Sequence, residues 1–342
     1  MEEYDVIIVG LGCVGSSAAY YCAKQGMQVL GIEQFPTPGS LGSSSFGETR
    51  MWRVTHGSYW KNDMMKDAIT LWRELEEESG EELMLKFPVL SMGSLESKDY
   101  MNIRAQYPEL PKLSPKEISE KYPALHNIPD DYEGLEHENC GVVKARKALQ
   151  TVTKLTQVKY GAELLFDTKV VSVDKNSVTI EDGRTFYGKD ICVCAGAYSI
   201  DFDKDKIATR REIEYIVFES PEGLPGGLLE FTKDGNEYYG MVDGDNFKMG
   251  EFAQRSIASM KDYFRDRMPE KFTQIKYFHP CYITMTDTGH FQYKTDKDGV
   301  HYAYGFEGTG FKFFPLHGKI VHDGLITKKD QTHIPDEYRA KI

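Results

Sequence analysis

Near the start of the chain, Val6, Ile7, Ile8 and Val9 follow one another without a polar interruption. A continuous β-branched run predicts a strand buried on both faces, as in a parallel sheet. Gly10, Gly12 and Gly15 come directly after it in G-x-G-x-x-G spacing. Ser16 to Gln25 then reads as a small-residue helix and Gln28 to Glu33 as the next strand. Further on, Asp63 to Ser79 has the spacing of an amphipathic helix carrying Trp72. Ser114 with Pro115 behind it marks the start of a second helix reaching Tyr122, and Ala145 to Gly161 reads as a third. Short apolar runs at Lys169–Val173, Ser177–Ile180 and Asp190–Ala195 predict strands that complete the first sheet, the last ended by Gly196. From Arg211 to about Lys248 the pattern changes to aromatic and β-branched runs broken by Pro221, Pro225 and paired glycines, which predicts an antiparallel sheet of a different domain.

The glycines of the first turn have distinct physical tasks. The first permits the sharp turn, the second lets the backbone approach a pyrophosphate, and the third lets helix and strand pack closely. The helix N-terminus faces the phosphates, and Glu33, at the end of the second strand, suits ribose hydroxyls while repelling a 2′-phosphate. FAD and NAD are therefore favoured over NADP, and the motif does not choose between the two. A tight turn with no ligand is the plain alternative.

With 342 residues the chain exceeds what one core usually serves, so two domains are expected. Apolar residues at 40% and charged residues at 27% exclude a mostly disordered chain. Forty-one Lys and Arg against 53 Asp and Glu give a formal charge of −12, which argues against nucleic-acid and anionic-membrane partners. No apolar run is long enough to span a membrane, and the acidic Met1–Asp5 start lacks the basic region of a secretory signal. A soluble, intracellular protein is the expectation. The six cysteines are sparse, and none has a partner at zinc-site spacing, so reduced thiols and no metal are expected.

Four separated segments share one resemblance: the N-terminal βαβ unit, Gly47–Arg53, Cys281–Thr286 and Gly305–Lys312. In order and coarse spacing the chain resembles the amine-oxidising flavoproteins of the D-amino-acid oxidase superfamily, within it the monomeric sarcosine oxidase and N-methyltryptophan oxidase group. Val193–Tyr198 extends the likeness. The resemblance implies an α/β fold: a discontinuous Rossmann-like FAD-binding domain (1–80, 140–210 and 282–342) and an antiparallel-sheet α+β substrate domain (81–139 and 211–281). It implies that Gly10, Gly12, Val14, Gly15, Glu33, Ser43, Thr49, Gly196 and the turn containing Gly308, Gly310, Phe311 and Lys312 hold FAD. Val171 would meet the adenine through its backbone, a plain core valine being the alternative. Cys281 would carry the flavin as a thioether, against the plain reading of a buried structural cysteine. Arg53 and Lys312 match the positions that clamp a substrate carboxylate. Arg50, one helical turn before Arg53 if that segment is helical, would lie near the flavin. Lys248 matches the lysine that promotes reaction with oxygen. The plain alternative is a surface cation with solvated partners for Arg53 and Lys312, a surface salt bridge for Arg50 and an exposed strand lysine for Lys248.

The activity so implied is oxidation of the C–N bond of a small N-alkyl or cyclic α-amino acid to an imine, with O2 reduced to H2O2, in a monomer. A dehydrogenase using another acceptor and a flavoprotein with a decayed site stay open. Ser45 and Phe46 stand where close relatives have paired histidines. Phe252 replaces an active-site histidine, Ile283 a tyrosine, and Glu307 and Thr309 a Ser and a His. The pocket wall therefore differs, which bears on sarcosine as substrate rather than on flavin or carboxylate binding. Ala340–Ile342 loosely resembles a peroxisomal address, the alternative to a cytoplasmic location.

Overall fold

The computed structural model describes residues 3–57, 59–205, 208–252 and 257–327. The peroxisome-like tail at 340–342 lies outside them. The first sheet has eight strands, ordered Val170–Asp174, Ser177–Ile180, Thr185–Val193, Glu3–Val9, Val29–Ile32 and Glu163–Leu165. His301–Tyr304 also pairs with Thr185–Val193 and in turn carries Gln292–Thr295. Glu3–Val9 runs parallel to both of its neighbours. Its apolar run is explained by two packed faces. Val6 and Ile8 join a cluster with the helices Cys13–Lys24 and Phe314–Thr327, whereas Ile7 and Val9 join Val178, Ile191 and Tyr302 on the other side.

The second sheet also has eight strands: Ile275–Thr286, Ala208–Glu219, Asn246–Glu251, Glu237–Asp243, Gly227–Phe231, Val89–Ser94, Tyr132–His137 and Lys112–Leu113. All neighbours are antiparallel except Gly227–Phe231 with Val89–Ser94, which are parallel. A three-stranded sheet, Thr49–Arg53, Cys140–Lys144 and Met84–Lys86, completes the fold. The mixed α/β architecture expected from the sequence is thus present. The boundary expected at 281/282 falls within the strand Ile275–Thr286.

Local signals fared well where a cap or a long periodic pattern supplied them. Ser114 forms a reciprocal capping box with Glu117 ahead of the helix Pro115–Lys121. The helix expected over 63–79 spans Tyr59–Ser79, and that over 145–161 is an α-helix Ala145–Lys154 continued by a π-helical turn Leu155–Lys159. One conditional expectation is corrected: Thr49–Arg53 is a strand, not a helix. Met51 and Trp52 pair there with Val142 and Gly141, and burial in the sheet outweighs local helix preference. Among the described residues no helix is long and apolar enough to cross a membrane.

Candidate functional site

The first turn shows why its glycines are there. Gly10 has φ +89°, and a β-carbon on it would lie 2.7 Å from the Ala195 Cα; one on Gly15 would lie 1.7 Å from the Gly10 carbonyl oxygen. Both positions exclude a side chain, whereas Gly12 faces only the Ser45 and Ser43 hydroxyls. Gly12 is also the N-cap of the helix Cys13–Lys24 and has no side chain of its own to cap it, while the Ser45 hydroxyl accepts the Cys13 N–H at 2.9 Å. Gly12, Cys13 and Val14 line the cavity, so the positive end of the helix dipole faces it and favours an anion there. Glu33 is buried, and its two carboxylate oxygens accept the Leu11 N–H at 2.8 Å and the Phe35 N–H at 3.1 Å. Burial raises its pKa, opposed by those backbone bonds.

One cavity of about 910 Å³ runs from this turn to the second sheet. Its wall includes Gly10, Gly12, Val14, Glu33, Ser43 and Gly196 from the nucleotide side. Cys281 and Lys248 come from the second sheet, and Gly308, Gly310, Phe311 and Lys312 from the C-terminal turn. Arg50 and Arg53 line it as well. Val171 lines it and is 51% exposed, so it is not a core valine. Two expected residues stand behind the wall. Gly15 packs against the turn, and Thr49 donates from Oγ1 to the Val242 carbonyl at 2.6 Å and to Asp243 Oδ1 at 2.9 Å.

Because Thr49–Arg53 is extended, Arg50 and Arg53, three positions apart, leave opposite faces of the strand. Arg50 donates to the carbonyls of Ser44, Phe46 and Thr49 at 2.6–2.8 Å and lies 5.6 Å from the Phe311 ring centroid. Arg53 is buried and donates to the Thr55 carbonyl at 2.9 Å. Burial lowers the pKa of its guanidinium. Lys312 is buried, with its Nζ 3.2 Å from His56 Nε2. Burial, then the charges of Arg53 and Lys61, push its pKa well below that of an ordinary lysine. Among the described residues neither Arg53 nor Lys312 has a carboxylate within ion-pair distance; Glu237, in the same cavity, acts on Arg53 only from longer range.

Lys248 is 2% exposed, which removes the exposed-strand alternative. Its ammonium donates to the Thr49 carbonyl and, at 3.0 Å, to Asp243 Oδ1. Burial and then the Arg50 charge lower its pKa to about 8, with Asp243 opposing. Cys281 is buried, and burial raises its thiol to about 11 although Arg50 and Lys248 pull the other way. Phe46 stacks on His279 at 4.6 Å and Tyr215 lies 4.8 Å from the same ring.

Asp243, His56, Lys61 and Glu237 were not singled out by the sequence. Lys61 and Glu237 line the cavity, and Glu237 is raised by burial and by Asp99. Asp243 stands at the end of the strand Glu237–Asp243, where no motif marks it.

The residues present fit FAD on this chain's own geometry: a helix N-terminus facing the cavity behind a β-carbon-excluding turn, a buried carboxylate one strand over, and a cavity that joins both to the second sheet. Residues 5–323 match the family model described as DAO, FAD dependent oxidoreductase. The chain is 26% identical over 376 residues to monomeric sarcosine oxidase of Bacillus sp. (strain NS-129), covering 97% of this chain and 95% of that protein. It is 26% identical over 364 residues to N-methyl-L-tryptophan oxidase of Escherichia coli O139:H28 (strain E24377A / ETEC), covering 96% of each. The solved structure of NikD, an unusual amino acid oxidase essential for nikkomycin biosynthesis, superposes with a TM-score of 0.84 at 20% identity, covering 97% of this chain and 96% of NikD.

Proposed function

Because this chain belongs to the DAO family of FAD-dependent oxidoreductases, we propose that it is an amine oxidase of a small N-alkyl or cyclic α-amino acid. The products would be an imine and, from O2, hydrogen peroxide. The observation that supports this most is the pair of buried cations, Arg53 and Lys312, neither in a direct ion pair with a carboxylate of the described residues, in the same cavity as the nucleotide turn. A planar guanidinium and an ammonium in a desolvated pocket bind a carboxylate strongly and directionally.

FAD, when bound, supplies the two-electron acceptor for the C–N bond and the donor to O2. Gly10, Gly12, Val14, Ser43, Gly196 and the Gly308–Phe311 turn are proposed to hold it, with Glu33 at the ribose and the Val171 backbone at the adenine. Gly15 and Thr49 act from behind the wall, by turn geometry and by holding Asp243. Cys281 is proposed as the covalent anchor. Arg53 and Lys312 fix the substrate carboxylate, which turns the amine-bearing carbon toward the second sheet. Lys248, kept charged by Asp243, stabilises negative charge developing on oxygen, and Arg50 adds a fixed positive charge near it. No side-chain nucleophile or metal is invoked. The working unit is taken as a monomer.

The test is anaerobic mixing of the holoenzyme with a panel of N-methyl and cyclic amino acids, then admission of air. Bleaching followed by stoichiometric peroxide is expected. Bleaching without peroxide would move the protein to the dehydrogenase reading, and no bleaching by any member would remove the oxidase reading.

A further inference from the structure

His56 is 3% exposed and lines the cavity beside Lys312. Its backbone N–H donates to Asn62 Oδ1 at 2.6 Å, while Asn62 Nδ2 donates to the His56 carbonyl at 3.1 Å and to the Tyr107 hydroxyl at 3.1 Å. Two backbone groups of fixed polarity therefore set which way the Asn62 amide points. The imidazole Nδ1 lies 3.0 Å from that same amide oxygen, which can only accept, so Nδ1 carries the proton. Nε2 is left to face Lys312 Nζ at 3.2 Å.

We infer that His56 is the positioning residue of Lys312: its Nε2 lone pair accepts one N–H of the ammonium and aims the remaining two at the substrate carboxylate, with Asn62 fixing the tautomer. The inference rests on the carboxylate-clamp reading above. An imidazolium would leave the ammonium without an acceptor. The charged groups facing His56 are Lys312 from the short helix Phe311–Phe313, Arg53 from its strand and Lys61 from the helix Tyr59–Ser79, all of them cations. Together with burial they hold the ring neutral. The arrangement resembles a metal-ligating histidine whose second nitrogen is pinned by an outer partner, with an ammonium in place of the metal.

The test uses holoenzyme and two probes that cannot be oxidised at an amine, cyclopentanecarboxylate and its carboxamide, titrated by the flavin absorbance change and by calorimetry. His56→Gln can place its amide oxygen where Nε2 stood, while His56→Asn reaches only the Nδ1 position. His56→Asn is expected to weaken carboxylate binding roughly tenfold, the worth of a hydrogen bond to a charged group, with carboxamide binding unchanged. His56→Gln is expected to stay near wild type for both probes. Equal carboxylate affinities in the two variants, whether both retained or both lost, would overturn the inference. If the wild-type protein itself does not prefer the carboxylate over the carboxamide, the clamp reading falls and this inference falls with it.

Discussion

Asp243→Asn is the perturbation that most directly probes the proposed oxygen half-reaction, because it changes a charge without changing the shape of the side chain. In the structure Asp243 is 3% exposed, donor-bonded by Thr49 N at 2.8 Å, Thr49 Oγ1 and Lys248 Nζ. Burial alone would raise its carboxyl, yet the Lys248 charge and these bonds hold it below the usual carboxylate range. Asp243 is therefore ionised at neutral pH, and Lys248, with its pKa at about 8, is roughly nine-tenths charged at pH 7. Removing an opposite charge in direct contact typically moves a neighbour by 1–3 pH units, which would bring Lys248 to about 6 in the variant. The charged fraction at pH 7 then falls to roughly one in ten. If charged Lys248 is what accelerates electron transfer to oxygen, reoxidation at pH 7 should slow by about tenfold and recover near pH 5. The assay is stopped-flow mixing of anaerobically reduced enzyme with oxygenated buffer across pH 5–9, with substrate reduction of the flavin measured in parallel. That reductive half-reaction should be nearly unchanged. Identical reoxidation profiles for wild type and variant would refute the reasoning, since either Asp243 would not set the charge of Lys248 or that charge would not matter to oxygen.

Three further outcomes follow from named contacts. Acid denaturation of wild-type protein should leave the yellow colour on the polypeptide, whereas Cys281→Ala should release it to the supernatant; release from both would remove the covalent anchor. Lys312→Met should raise KM for a carboxylate substrate roughly a hundredfold, about 3 kcal/mol for bonds to a charged group, without slowing reoxidation; an unchanged KM would place the carboxylate elsewhere. Gly15→Ala puts a methyl 1.7 Å from the Gly10 carbonyl oxygen, so a cost of about 3 kcal/mol and a lowered flavin-to-protein absorbance ratio are expected; full flavin content at wild-type thermal stability would show that the turn relaxes freely.

What the sequence made legible was local or patterned. The βαβ turn declared itself because strand period, glycine spacing and a terminal acid lie within thirty-odd residues, and the Ser114 cap because its chemistry is confined to four. Arg53, Lys312 and Lys248 came from the family resemblance of the segments around them rather than from any periodicity. The segment Thr49–Arg53 could not be assigned from its own residues, since its strand state depends on Cys140–Lys144, some ninety positions away. Asp243 and His56 escaped for the same reason. Asp243 matters through Lys248 and Thr49, the latter 194 residues distant, and His56 through Lys312, 256 residues distant. Interactions of that range leave no spacing for a linear reading to detect.

The two buried cavity lysines illustrate how one fold can treat the same side chain in opposite ways. Lys248 is given an internal counter-ion, so its charge belongs to the protein whether or not a ligand is present. Lys312 is given a neutral acceptor, His56, and two cationic neighbours in Arg53 and Lys61, so burial and repulsion both work against its charge. Burying a cation without a partner is costly, which is why Lys312 is held well below the ordinary lysine pKa. On the proposed clamp, a substrate carboxylate would offset that penalty, whereas a neutral isostere of the same shape would not. Under that proposal, selectivity for an α-amino acid over a simple amine would come from relieving this unpaired burial as much as from direct contacts. The same proposal sets a pH response: a carboxylate would favour charged Lys312 and so bind more weakly as pH rises, while the substrate amine would have to lose its proton to react. The two demands oppose each other, so turnover at limiting substrate should pass through a maximum rather than climb steadily with pH.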